Sequence, residues 1–138
     1  MEASIQKRLS LDTNVLFDLA DRKDFAHEFR EAYQRKGYAL VISPTVVAEL
    51  YFFHRHGDAE ERRLASLALG GIIAWDIQAF PLTSIRLDLA RRFSSTIIAR
   101  GLLPESEIND AFILAETAVA EIPLVVSSDR HQIGRAHV

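Results

Sequence analysis

An α/β fold built on parallel strand–helix–strand units is predicted for this 138-residue chain by three observations. Short β-rich apolar runs alternate with stretches of helical periodicity. Glycine and proline stand at the joins between them. Acidic residues recur where an apolar stretch meets a helix signal. Strands separated by helices pair in parallel, because the chain must cross back over the sheet before the next strand begins.

Taken in order, Arg8 to Asp12 reads as a short buried strand, and Thr13 to Arg22 follows with Val15, Leu16, Leu19 and Ala20 at helical spacing. Asp24 is expected to cap a second helix that runs to Arg35 and ends at Gly37, a favoured residue beyond a helix end. Tyr38 to Ile42 is a second strand. Ser43-Pro44 opens a third helix, with proline tolerated in the first turn, and it ends near Gly57. Asp58 to Leu69 reads as an amphipathic helix stopped by Gly70-Gly71, and Ile72 to Phe80 as a β-rich stretch ended by Pro81. Ser84 to Arg100 is a long helix closed by Gly101. Ser106 is expected to cap the helix that reaches Ala120, and Pro123 precedes the last strand. No repeat, linker or low-complexity segment interrupts residues 1–138, so one domain is expected.

Composition narrows the chemistry. Hydrophobic residues make up 49% and charged residues 25%, the balance of a soluble globular domain. The absence of cysteine excludes a disulfide framework, a thiolate nucleophile and a cysteine zinc site. Neither a signal sequence nor an apolar run of membrane-spanning length is present, so a cytoplasmic protein with no membrane association is expected. The net charge of −3 lacks the basic excess of most nucleic-acid binders, and lysine is confined to Lys7, Lys23 and Lys36.

The acids carry the functional signal. Asp12 closes Leu9-Ser10-Leu11, and Asp129 closes the apolar run from Pro123 to Ser128. Glu49 follows Val46-Val47-Ala48, and Asp110 sits early in the helical pattern from Ile108 to Ala120. In a parallel α/β sheet the carboxyl ends of the strands and the helix starts converge on one edge, where acids distant in sequence can meet. Carboxylates gathered there repel one another unless cations lie between them, and oxygen-only ligation suits Mg²⁺ or Mn²⁺. Each acid also has an ordinary reading: Asp12 and Asp129 as caps, Asp110 as a partner of the helix dipole, Glu49 on a solvated helix face. Capping does not explain all of them in this strand–helix order. His54, His56, His131 and His137 read as surface residues, as do Arg91, Arg92 and Arg100, and Trp75, Tyr51, Phe52 and Phe53 read as core or dimer interface. Glu105 and Glu107 read as favouring the helix start, with a lean of Glu107 into the site as the alternative.

The segments Leu11-Asp12-Thr13-Asn14-Val15-Leu16, Val46-Val47-Ala48-Glu49-Leu50, Asn109-Asp110-Ala111-Phe112-Ile113-Leu114-Ala115 and Val125-Val126-Ser127-Ser128-Asp129 together resemble the PIN-domain nucleases, most closely the VapC-type toxins of toxin–antitoxin pairs. That resemblance implies a Rossmann-like three-layer α/β/α fold with a central, mostly parallel sheet. It implies an acidic quartet of Asp12, Glu49, Asp110 and Asp129 that binds Mg²⁺ or Mn²⁺ and hydrolyses RNA, with Asn14 and Ser127 in support. It also implies a homodimer held inactive by a small antitoxin protein, with Leu50 to Phe53 and the helix from Asp58 to Leu69 as candidate contact surfaces, core packing being the favoured reading for any single residue there. Members of the family usually continue past the last acid with a helix and an edge strand, whereas this chain runs to Val138, which leaves that fifth strand unassigned. A stand-alone RNA-processing nuclease and a non-catalytic RNA- or protein-binding module are the alternatives.

Other hydrolase classes fit poorly. Asp12-Thr13-Asn14 lacks the second acid of an aspartate-based phosphatase, no lysine follows Lys36, and neither a phosphate-binding glycine loop nor a G-x-S-x-G elbow is present.

Overall fold

The computed structural model describes residues 7–127. Within them the chain forms β1 (Lys7–Leu11), α1 (Thr13–Ala20), α2 (Asp24–Arg35), β2 (Tyr38–Ile42), α3 (Pro44–His56), α4 (Ala59–Gly71), β3 (Ile77–Ala79), α5 (Ser84–Ala99), a 3₁₀ turn (Glu105–Glu107), α6 (Ile108–Val119) and β4 (Val125–Val126). The described strands form one sheet in the order β3-β2-β1-β4, and every pairing is parallel. The chain leaves β1 for β2 on one side and returns to β4 on the other. The point where strand order reverses therefore lies between β1 and β4, at whose carboxyl ends a ligand crevice is expected.

Strand periodicity divides the core. Leu9 and Leu11 of β1 and Leu40 and Ile42 of β2 share one face and pack with Val15, Leu16 and Leu19 of α1, Val46 and Leu50 of α3 and Ala68 of α4. On the opposite face, Val41 packs with Phe80, Ala120 and Ile122. There the buried Thr117 of α6 donates a hydrogen bond to Ser10 at 2.9 Å. Helices cover both faces, giving the expected three-layer α/β/α arrangement. Among the described residues no helix is long and apolar enough to cross a membrane.

The element ends follow local chemistry, with four departures from the sequence-based expectation. Asp24 does not cap α2; Lys23 occupies that position without a side-chain bond, and Asp24 lies in the first turn, where its charge suits the dipole. Gly70-Gly71 does not stop α4, which continues to Gly71. Gly71 serves packing instead, since a Cβ there would lie 2.6 Å from the Trp75 ring. Ile72 to Phe80 is mostly turn. Bonds from Trp75 N–H to Gly71 O, Asp76 N–H to Ile73 O and Ile77 N–H to Ile72 O wind the chain before β3, with Asp76 at φ 58°. Ser106 does not cap α6; it lies within the 3₁₀ turn, and Glu107 takes the cap position without a side-chain capping bond to the helix amides.

The expected proline start of α3 is present, with Ser43 as its cap, and Gly37 and Gly101 adopt positive φ beyond α2 and α5. At α4, Asp58 and Glu61 form a reciprocal capping box. Asp58→Ala removes the acceptor for the Glu61 amide and should cost about 1 kcal/mol, read as a lower Tm in thermal unfolding.

Candidate functional site

The carboxyl end of β1 places Asp12 at the start of α1, where the buried side chain accepts a hydrogen bond from Val15 N–H at 3.0 Å. The capping reading of this residue is therefore correct. It also sets the carboxylate rigidly at the mouth of the β1–β4 crevice, because Asp12 N–H is itself bonded to Val126 O at 3.0 Å. Ser127 follows β4 directly and is half-buried beside this contact. Asn14 is exposed in the first turn of α1. Asp129 lies outside the described residues.

Glu49 reaches the same edge from α3. Thr13 Oγ1 donates to its Oε1, and Asn109 Nδ2 donates to its Oε2 at 2.9 Å. The half-buried carboxylate is thus held from α1 on one side and α6 on the other. Asp110 sits next to Asn109, in the first turn of α6. Burial pushes its carboxyl up to about 6 from the usual 3.8, aided by the negative charge of Asp12, a hydrogen bond with Glu107, and the charges of Glu107 and Glu49. Asp12, Glu49, Glu107 and Asp110 therefore share one electrostatic site, although they come from three separate stretches of chain.

This placement bears on the sequence reading residue by residue. Asp12 and Glu49 lie within electrostatic reach of Asp110, and Glu107 shares a hydrogen bond with it. Thr13 and Asn109, which orient Glu49, were not singled out as its partners. Their only sequence signal is adjacency to Asp12 and Asp110. His54 and His56 lie exposed in the last turn of α3, and Arg91, Arg92 and Arg100 are exposed on or just after α5. Leu50 is fully buried, which removes it from the expected antitoxin surface, whereas Tyr51 and Phe52 are exposed.

Chemically, the site offers oxygen donors and excess negative charge. Among the described residues no three acidic or imidazole side chains close around one point. A hydrated divalent ion held by one or two carboxylates fits that arrangement, and Mg²⁺ characteristically retains several waters. Burial is the main cause of the raised Asp110 carboxyl, and the added repulsion from Asp12, Glu107 and Glu49 is what such an ion would relieve.

A pH effect follows for the metal-free protein. A carboxyl whose folded value is raised contributes stability that is fully present below about pH 4 and is lost as pH rises through about 6. Asp110→Asn removes the charge. In EDTA the variant should exceed the wild type by about 1 kcal/mol at pH 7, after allowance for solvent screening at a half-buried position. The gap should close below pH 4. Thermal unfolding of both proteins across this range checks the sign, and a gap independent of pH contradicts it.

Comparison with known proteins agrees with this architecture. A family model described as "PIN domain" matches residues 9–137. No curated protein gives a significant sequence match. Among solved structures, a chain of VapBC2 from Rickettsia felis, determined bound to a DNA fragment from their promoter, superposes with a TM-score of 0.65 at 16% identity, covering 94% of this chain and 92% of that one. A chain of VapBC-1 from nontypeable Haemophilus influenzae gives a TM-score of 0.54 at 15% identity, covering 93% and 91%. With the family model spanning nearly the whole sequence, the chain belongs to the PIN domain family.

Proposed function

We propose that this PIN domain is a divalent-metal-dependent endoribonuclease and the toxin of a toxin–antitoxin pair. PIN domains are nucleases. The observation that carries the metal-dependent reading is the gathering of acids at one sheet edge: Asn109, next to Asp110, bonds Glu49 at 2.9 Å, and Asp12 and Glu49 add their charge to the burial that raises Asp110. Asp12, Glu49 and Asp110 would hold a hydrated Mg²⁺ or Mn²⁺, one or two of them directly and the rest through its waters, with Asp129 as the fourth acid of the quartet. When bound, such an ion supplies the Lewis acidity for phosphodiester hydrolysis, activating water and offsetting charge on the phosphoryl oxygens.

The chain's own residues define the remaining roles. Thr13 and Asn109 fix both oxygens of Glu49, so this acid is oriented before substrate arrives. The Val15 amide fixes Asp12 in the same way. Asn14 and Ser127 stand at the ends of α1 and β4 nearest Asp12 and are assigned supporting contacts to substrate or to the ligating carboxylates.

Assignment to a toxin–antitoxin pair rests on the two similar folds, both solved as VapBC assemblies. A small antitoxin is the proposed protein partner, with the exposed Tyr51, Phe52 and Leu67 as contact residues on α3 and α4. Homodimerisation is supported by the apolar stripe of Ile85, Leu89 and Phe93, exposed at successive turns of α5. A cytoplasmic location is part of the same proposal.

The test is incubation of the purified protein with labelled single-stranded RNA and DNA in Mg²⁺, Mn²⁺ or EDTA. Internal cleavage of RNA that needs metal is the expected result. A folded protein that cleaves RNA equally well in EDTA sinks the metal assignment, and preferential cleavage of DNA sinks the substrate assignment.

A further inference from the structure

Glu116 lies outside the acidic cluster, near the end of α6, and is only 6% exposed. Both of its oxygens are engaged by one residue: Thr45 N–H donates to Oε1 at 2.9 Å and Thr45 Oγ1 donates to Oε2 at 2.7 Å. Thr45 is the second residue of α3, so its amide is one of those at a helix start without an intrahelical acceptor. Glu116 thus caps α3 from another helix, with its negative charge at the favourable end of the dipole. The local cap is weaker: the Val46 amide reaches Ser43 Oγ only at 3.4 Å.

The same two helices are linked a second time, through Asn109 and Glu49. Thr45 and Glu49 stand one turn apart on α3, and Asn109 and Glu116 two turns apart on α6, so each pair shares a helix face. The links join the start of α3 to the end of α6, and the middle of α3 to the start of α6. One is partly buried, with two hydrogen bonds to the buried Glu116 carboxylate. The other is exposed and single. Of the two, the buried link sets the register.

We propose that Glu116 is a positioning residue: through Thr45 it fixes α3 against α6 and thereby holds Glu49 beside Asp110. Its consequence for metal affinity rests on the proposed metal-dependent function, whereas the register itself does not. A purely structural cap would lower stability and leave the metal affinity of the folded protein unchanged.

The experiment titrates Mn²⁺ into the full chain by calorimetry, at a temperature where every variant is folded. Glu116→Ala should weaken Mn²⁺ binding about 10-fold, the scale of losing a support behind a metal ligand. Thr45→Val, which keeps the amide link, should weaken it by about 3-fold. Glu116→Gln can accept from the Thr45 amide and donate to its hydroxyl, and should restore affinity to within about twofold. Unchanged affinity in folded Glu116→Ala overturns the proposal.

A second readout needs no metal. Asn109→Ala should lower Tm by a few degrees in the wild type and by less than half as much in Glu116→Ala, because the exposed link depends on the buried one. Additive losses overturn the register claim. If the wild type binds no Mn²⁺ but the Tm losses are non-additive, the metal-dependent function fails and the positioning role stands.

Discussion

Replacing Asp12 or Asp110 with asparagine is expected to reduce metal-dependent RNA cleavage by roughly 10²–10³-fold or more without unfolding the protein. The two substitutions are well suited to separate chemistry from structure. Asparagine caps a helix as well as aspartate does, so Asp12→Asn keeps an acceptor for the Val15 amide while removing the charge. At Asp110 the charge is unfavourable in the metal-free fold, since burial and the neighbouring acids push its carboxyl up to about 6. Asp110→Asn should therefore be at least as stable as the wild type at pH 7. A residue that gains stability on losing its charge is kept charged for a reason other than folding. Initial cleavage rates with matched unfolding curves decide the matter. Activity within a few-fold of wild type in both variants contradicts the assignment of these acids.

The second large effect lies one residue from Glu49. Leu50 is completely buried in the cluster that joins α3 to β1, β2 and α1. Leu50→Ala should cost about 2–5 kcal/mol, through lost apolar burial and the cavity left behind. For a domain of this size that corresponds to a Tm lower by roughly 8–20 °C. Phe52, two residues on, is 56% exposed, and Phe52→Ala should change stability by no more than about 0.5 kcal/mol. Thermal unfolding of the pair tests which side of α3 faces the core. Similar losses in both would mean that the helix is rotated from the orientation described.

Parts of the fold governed by neighbouring residues were legible in the sequence. The apolar runs at Leu9–Leu11 and Tyr38–Ile42 announce strands, and Ser43-Pro44 announces the start of α3, because burial and capping act over a few residues. Gly70-Gly71 misled because its role is tertiary: the small residue admits the Trp75 ring, and the α4 ladder continues through it. The β-rich segment Ile72 to Phe80 misled for a related reason. Composition does not distinguish a strand from an apolar turn, and only Ile77–Ala79 finds a partner, on β2. In the site, the acids stood out because charges are rare in apolar surroundings. The groups that orient them did not. Thr13 and Asn109 meet Glu49 across long stretches of sequence, and Glu116 meets Thr45 in the same way, so only the folded chain pairs them.

The account turns on whether these carboxylates hold a divalent ion. The most direct measurement is a calorimetric titration of Mn²⁺ into the wild-type protein and into Asp12→Asn at pH 7, with Mg²⁺ as competitor. The expected result is saturable binding to the wild type that Mg²⁺ displaces and that is lost, or weakened at least 10-fold, in Asp12→Asn. Equal binding to both proteins, or none to the folded wild type, would contradict the metal-dependent site at Asp12, Glu49 and Asp110.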